Sequence, residues 1–209
     1  MQLFRRPPPD EAESCFRQGL HYRNRRSREF NFELAVGHFK EAIRLNPETG
    51  RYRTELAQAY VAAPLLAVTH GIGDGLSLEK CLELAVDELE QALQSDSTQI
   101  ETYLVLGEAY MYMGKKQKAV DAFQLAAEMP TSSFVDGMIL KSYARRRLKH
   151  LERIVRNHPQ PEIAQECIEK AISYRNEGNY HLAEKELMRA FKLAPDWAWL
   201  YKTICKLAD

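Results

Sequence analysis

The sequence predicts an all-α protein built from repeated helical hairpins, and three observations lead to that fold class. Ala, Leu and Glu supply 68 of the 209 residues, whereas Val, Ile and Thr supply only 24, and helices favour the first group while strands favour the second. A small residue stands at positions 19, 57, 107 and 171, each time three residues before a tyrosine. A second helical pattern with alanines at one face follows each of these pairs. Recurrence at such spacings is typical of helical solenoids.

The first two repeat units lie at about 12–48 and 50–98. The first joins Gly19 and Tyr22 to a second helix marked by Ala35, Phe39 and Ala42 and closed by Pro47. Its inter-helix segment is four residues longer than in the third and fourth units. The second unit joins its own small residue and tyrosine to a helix that begins near residue 78, and here the excess is sixteen residues.

The third unit, at about 100–132, is the most regular. Its first helix carries Gly107 and Tyr110 on one face, and its second carries Ala119, Phe123 and another alanine before Pro130. This spacing resembles the tetratricopeptide repeat, a 34-residue helical hairpin. The resemblance implies an α-solenoid in which stacked hairpins form a right-handed superhelix with a concave groove. Small residues would let the two helices of a hairpin approach closely, while the larger ones fill the space between neighbouring hairpins.

The fourth unit, at about 164–197, repeats the third unit's spacing from Tyr174 to Ala183. After it, residues 197–208 have no partner helix and carry apolar residues on one face and lysines on the other. We expect them to form a capping helix, so that 1–209 is a single domain with its repeat stack closed at the end.

Residues 133–158 keep helical spacing and contain no turn signal between Gly137 and Asn157. We expect one long helix there, and a degenerate hairpin that splits near Arg147 is the alternative. The part of this segment that begins at Lys141 has a net charge of plus six. A continuous helix would interrupt the regular stacking of hairpins.

Residues 61–77 contain the insertion of the second unit, which we expect to end in a loop. Its apolar half includes Leu65, Leu66 and Val68, which either prolong the first helix onto the core or form a binding or dimer surface. Three alternating glycines follow at 71, 73 and 75. We do not expect them to form a phosphate site, because no strand precedes them and no Gly-Lys-Ser/Thr sequence ends them.

The resemblance also implies which residues face the groove, since in the family they come from the first helix of each hairpin. The corresponding positions are Leu20, Arg23, Asn24, Gln58, Val61, Ala62, Glu108, Met111, Tyr112, Ile172, Arg175 and Asn176. Apolar residues and two Arg-Asn pairs suit an amphipathic helix or extended peptide that carries acidic residues. The chaperone-binding subset of the family clamps a terminal carboxylate with Lys and Asn, and here Phe16 and Leu20 occupy those places. We therefore expect a different kind of partner.

The 29 basic and 29 acidic residues cancel overall, but they are segregated along the chain. Residues 79–101 have a net charge of minus six, whereas residues 23–28 and the long helix are basic. We define the basic patch as Arg145, Arg146, Arg147 and Lys149. Most such runs are solvated faces, and the functional alternative is a nucleic-acid or acidic contact. Few aromatic residues lie beside them, which disfavours single-strand recognition.

No sequence feature indicates catalysis, a metal or a cofactor. The six histidines include no pair four residues apart, and the four cysteines include no Cys-x-x-Cys motif. The longest apolar run has eight residues, far below the roughly 20 of a membrane helix. We expect a cytosolic, non-enzymatic adaptor or scaffold that binds a partner protein in its groove. The alternatives are nucleic-acid or anionic-surface binding through the basic segments, and a homo-oligomeric scaffold.

Overall fold

Helices account for all the regular secondary structure that the computed structural model describes, namely residues 9–24, 27, 29–70, 78–95, 99–130, 134–154 and 161–193. This confirms the predicted all-α class. The helices within these ranges are α1 (Pro9–Arg23), α2 (Phe32–Leu45), α3 (Gly50–His70), α4 (Leu78–Leu93), α5 (Ile100–Tyr112), α6 (Lys116–Glu128), α7 (Phe134–Ile154), α8 (Pro161–Asn176) and α9 (Tyr180–Leu193).

The helices pair as hairpins in chain order. α1 packs against α2, α3 against α4, α5 against α6, and α8 against α9. Each of the first three hairpins then contacts the next helix in the chain, through the pairs α2 and α3, α4 and α5, and α6 and α7. A stack of this kind is a helical solenoid, in which neighbouring units bury the face that one hairpin leaves open.

Close approach within the hairpins depends on residues without bulky side chains. A Cβ atom added to Gly107 would lie 2.7 Å from Cε1 of Phe123, and one added to Gly19 would lie 2.5 Å from Cε1 of Phe39. Both phenylalanines are fully buried. The glycines therefore hold the space into which the aromatic rings of the second helices fit, as the repeat spacing predicts.

The hairpins meet one another through aromatic and aliphatic side chains. The Phe16 ring of α1 lies 5.8 Å from the Phe39 ring of α2 and 4.7 Å from the Tyr52 ring of α3, measured between centroids. Offset and tilted rings at these separations attract each other in addition to burying apolar area. One aromatic cluster thus joins the first hairpin to the second.

Local signals explain several helix ends. Asn31 precedes α2 in an extended conformation, and its side-chain oxygen accepts a hydrogen bond from the Leu34 amide at 2.9 Å. It satisfies one of the amides that a helix start leaves without a partner. Gly114 and Gly178 have φ angles of 73° and 76° in the turns of the third and last hairpins. Only glycine adopts this left-handed conformation without steric cost.

α7 is one unbroken helix from Phe134 to Ile154 and continues through Arg147 without a split. It contacts α6 and α5, so it takes the place that the first helix of a further unit would take. Ala144 is fully buried and lies 37 residues after Gly107, close to the repeat length.

The apolar half of the insertion belongs to α3, which extends to His70. Leu66 is buried, and Leu65 is half-buried against the core. The structure therefore agrees with the first interpretation of this segment, in which its apolar half prolongs the first helix of the unit. The side chain of Val68, the glycines at 71, 73 and 75, and the predicted capping helix at 197–208 lie outside the described residues. Within those residues, none of the helices is both long and apolar enough to cross a membrane.

Candidate protein-interaction surface

The first helices of successive hairpins are joined by polar contacts along one side, which we call the inner face. Arg23 at the end of α1 reaches α3, where its Nη1 atom lies 2.6 Å from a carboxylate oxygen of Glu55 and also donates to the Gln58 side chain. Two residues of the predicted groove, Arg23 and Gln58, therefore bond to each other. An ion pair between two helices holds the helices at a fixed distance, and each charged side chain stabilises the ionised form of the other.

α3 and α5 are joined by a buried pair of threonines. The hydroxyl oxygens of Thr54 and Thr102 lie 2.9 Å apart, and Thr54 also donates to the Gly50 carbonyl at 3.2 Å. Because Thr54 uses its proton on that carbonyl, Thr102 is the donor between the two hydroxyls. Both residues are about 5% exposed or less. Their mutual bond satisfies polar groups that would otherwise be costly to bury.

α5 and α7 are joined by a cluster of Glu108, Tyr143 and Arg147. The Arg147 Nη2 atom donates to the Glu108 carboxylate at 2.8 Å, and its Nε atom donates to the Tyr143 hydroxyl oxygen at 2.8 Å. The tyrosine hydroxyl in turn donates to the same carboxylate oxygen of Glu108. The guanidinium carbon also lies 4.8 Å from the centroid of the Tyr143 ring, within the range of a cation–π contact.

Electrostatics hold this cluster in one protonation state. Burial raises the pKa of Tyr143, and the Glu108 carboxylate raises it further, so the phenol stays protonated and can donate. Burial disfavours the charged Arg147 guanidinium, but Glu108, Tyr143 and Tyr112 together outweigh that effect and raise the pKa of Arg147. The side chains of Arg147 and Glu108 are 21% and 17% exposed. The pair is therefore a largely desolvated contact between helices and not a surface salt bridge.

The predicted groove residues are distributed between the interior and the surface. Asn24, Gln58 and Asn176 are exposed, and Leu20, Arg23, Glu108, Ile172 and Arg175 are half-buried. Met111 and Tyr112 are buried, at 3% and 6% exposure. Val61 is also buried, and Ala62 is half-buried. Arg175 donates to the Asn176 side chain next to it at 3.0 Å. The buried members act as packing residues in this conformation, because their side chains do not reach solvent.

Tyr112 is covered by the last hairpin. Its ring lies 6.4 Å from the ring of Phe191 in α9, measured between centroids at an interplanar angle of 58°. α8 and α9 also contact α3. Burial raises the pKa of Tyr112 well above its ordinary range, which fits a phenol enclosed by protein on all sides. The hairpin thus lies against helices whose residues were expected to form the groove.

The basic patch is divided between the surface and the interior. Arg145, Arg146 and Lys149 are exposed and share one face of α7. Arg147 faces the opposite way, toward Glu108. The exposed face also carries Met138 and Ile139, at 57% and 55% exposure. Of the basic segment at residues 23–28, Arg25, Arg26 and Arg28 lie outside the described residues.

In the described part of the chain, no group of three or more His, Cys, Asp or Glu side chains is placed to hold a metal ion. The thiols of Cys81 and Cys167 are buried and unpaired with another cysteine, and burial raises the pKa of Cys81 to about 11. A thiol with so high a pKa is a poor nucleophile at neutral pH because little thiolate is present. Phe16 is fully buried, so this position of the inner face cannot clamp a carboxylate.

Sequence reasoning missed the partners of several inner-face residues. Glu55, Thr54 and Thr102 gave no signal of their own, because ordinary helix positions carry such residues throughout the chain. Tyr143 and Ala144 could have been found from their distances to Gly107, since 36 and 37 residues are both near one repeat length. Phe191 could not, because its contact with Tyr112 lies outside the repeat period.

The paired helices, their stacking and their small-residue contacts define an α-helical repeat protein. Comparison with protein families gives a likeness for two of the hairpins. A model described as tetratricopeptide repeat matches residues 100–131 and 167–196, the third and fourth of the predicted units. These two stretches of the chain are similar to tetratricopeptide repeats, and such repeats generally mediate contacts between proteins. No solved structure matches the chain.

Proposed function

We propose that the chain is a non-enzymatic adaptor that binds a peptide or helix of a partner protein on its inner face. The observation that carries the proposal is the set of polar links between successive first helices. Arg23 with Glu55, Thr54 with Thr102, and Arg147 with Glu108 join four helices in a row. A surface held in this way before a partner arrives loses little conformational entropy on binding.

The chemistry of the inner face indicates the kind of ligand. Asn24 and Asn176 are exposed and can bond to a peptide backbone, while half-buried Leu20 and Ile172 offer apolar contact. Arg175 adds positive charge beside Asn176. An amphipathic helix or extended segment with acidic residues combines the features that this surface can satisfy.

Affinity capture from lysate tests the adaptor function. The full chain is immobilised beside a variant that carries Asn24→Ala and Arg175→Ala. The control is Arg44→Ala, which removes an exposed arginine from α2, a second helix, where it pairs with Glu41. We expect the double variant to retain about one tenth as much partner as the control, or less. A reduction of this size is the effect of losing one strong interface residue. Equal retention by all three proteins, or retention of no protein, contradicts the proposal.

A second candidate function is contact with an anionic surface, such as a nucleic acid. It is favoured by the exposure of Arg145, Arg146 and Lys149 on one face of α7. A titration with a generic single-stranded RNA at several salt concentrations tests it. Three phosphate contacts predict a slope of about −2 for the logarithm of affinity against that of salt. A flat response removes this candidate.

A further inference from the structure

One side of α7 is exposed along much of its length. The exposed residues from its second turn onward are Met138, Ile139, Ser142, Arg145, Arg146 and Lys149. Residues three or four apart share a face of a helix, so Met138, Ser142, Arg145 and Lys149 form one line, which we call the basic row. The chain has no acidic residue between Met138 and Lys149. The basic row therefore presents its two cations, with Arg146 beside them, without a carboxylate from the same stretch of helix.

α4 presents the opposite charge on its exposed side. Glu83, Asp87 and Glu90 are exposed and share a face because they stand four and then three residues apart. We call them the acidic row. Lys80 pairs with Glu83 at 2.7 Å, and Lys115 also attracts this carboxylate. An ion pair between exposed side chains contributes little, and the three carboxylates still outnumber the two lysines, so the row keeps a negative charge.

The two rows match in spacing when the helices run antiparallel. Each row then steps by four and by three residues, which is about one helical turn each time. The members in this order are Lys149, Arg145 and Ser142 on α7, and Glu83, Asp87 and Glu90 on α4. Lys149 lies opposite Glu83, Arg145 lies opposite Asp87, and the Ser142 hydroxyl can donate to Glu90. In a parallel arrangement the order of the two steps differs between the rows, so the charges do not align.

A second copy of the chain is the partner that these rows fit. Both rows are exposed, so they do not cover each other within one molecule. The 29 basic and 29 acidic residues cancel, and a net charge near zero favours association because no overall repulsion keeps the copies apart. Half-buried Leu93 lies about one turn beyond Glu90, where the antiparallel alignment brings Met138. The apolar end of the basic row therefore also meets an apolar side chain.

We infer that the basic row of α7 binds the acidic row of α4 in a second copy of the chain. The contact joins two different surfaces, so each added copy leaves one row of each kind open, and association continues until a ring closes or the copies are exhausted. Because exposed charges supply most of the contact, it is weak and sensitive to salt. The inner face stays open, so the inference goes beyond the proposed adaptor function and does not depend on it.

Sedimentation velocity of the full chain at several protein concentrations tests the association and its cause. At about 0.01 M salt, where the Debye length is about 30 Å, we expect a mean mass that rises with concentration above the 24.1 kDa of one chain. At about 1 M salt, where the Debye length is about 3 Å, we expect the mass of one chain alone. An association through apolar residues would instead persist at high salt.

Charge reversal identifies the surfaces. Arg145→Glu with Lys149→Glu reverses the basic row, and Glu83→Lys with Asp87→Lys reverses the acidic row. We expect either double variant to stay monomeric at low salt, because its two rows then have the same sign. All four substitutions together restore opposite rows and a net charge of zero, so we expect this variant to associate as the unmodified chain does.

Lys185→Glu with Arg189→Glu is the matched control. These exposed residues of α9 are four apart, like Arg145 and Lys149, and their reversal changes the net charge by the same amount. The control should still associate, and circular dichroism of each protein checks that the helices are retained. A monomeric unmodified chain at low salt overturns the inference. So does a folded four-fold variant that stays monomeric, or a double variant that associates as strongly as the control. None of these results affects the lysate capture, which tests the adaptor function separately.

Discussion

Replacing Gly107 by alanine tests the packing rule on which the whole stack depends. The new Cβ atom would lie 2.7, 2.8 and 2.8 Å from Cε1, Cδ1 and Cζ of Phe123. That ring is fully buried, so it cannot turn into solvent. Overpacking of a core costs about 1–3 kcal/mol, and three simultaneous contacts below 3 Å place the change in the upper part of that range. Alanine regains about 1 kcal/mol through its higher helix propensity. We therefore expect Gly107→Ala to lower the free energy of unfolding by about 1–2 kcal/mol.

Gly37 provides the same chemical change without the contact. It lies within α2, is exposed, and has no atom within 4 Å of an added Cβ. Gly37→Ala should raise the free energy of unfolding by about 0.5–1 kcal/mol through helix propensity alone. Urea unfolding followed by circular dichroism measures both variants, and equal slopes would show that the midpoints report stability. If Gly107→Ala proves as stable as Gly37→Ala, the close helix approach is not the reason for the small residue.

Three further predictions concern single contacts. Arg147→Met should lower the free energy of unfolding by about 2 kcal/mol, because it leaves the Glu108 carboxylate largely buried without its cation. The double variant with Glu108→Gln should lose less stability than the two single variants lose in total. If urea unfolding shows that the two losses simply add, the pair does not interact. Asn31→Ala should cost about 1 kcal/mol by removing the cap of α2, and an unchanged thermal unfolding midpoint would contradict that role. Burial raises the pKa of Cys81 to about 11, so its thiol should resist iodoacetamide at pH 8 in the folded protein and react after unfolding in urea. Mass spectrometry measures the labelling in both states. Rapid labelling of Cys81 in the native chain would contradict its burial.

The hairpins could be predicted from the sequence because their contacts are local and their determinants are repeated. Gly107 and Phe123 stand sixteen residues apart, and the same spacing separates Ala171 from Leu187 in the fourth unit. Because bulky side chains are excluded where the two helices of a hairpin meet, a small residue recurs at the corresponding position of each unit. The continuity of α7 was predictable for a similar reason, since no glycine, proline, asparagine or aspartate lies between Met138 and Ile154.

The arrangement of the inner face could not be predicted in the same way. Tyr112 and Phe191 are 79 residues apart and belong to units that are not neighbours in the stack. Periodicity says which residues face inward, but it does not say whether solvent, a partner or another part of the chain covers them. Met111 and Tyr112 were expected at an open groove for this reason, and the structure buries them.

The charge pattern of the sequence predicted the exposed basic residues only in part, for a related reason. The three arginines from Arg145 to Arg147 form one basic run in the sequence, but a helix turns by about 100° per residue and sends them in different directions. Arg147 meets Glu108 of α5, whereas Arg145 and Arg146 remain exposed. Composition counts all three equally. Only the packing of α7 on α5 separates the structural cation from those available to a ligand.

Photo-crosslinking of a captured partner tests most directly the claim that binding occurs on the inner face. A benzophenone amino acid is placed in the full chain at Gln58, which is exposed on α3, or at Gln124, which is exposed on α6, a second helix. The two sites replace the same residue type on opposite kinds of helix. We expect partner protein to crosslink at position 58 and not at position 124. Crosslinking at position 124 with none at position 58 would contradict it.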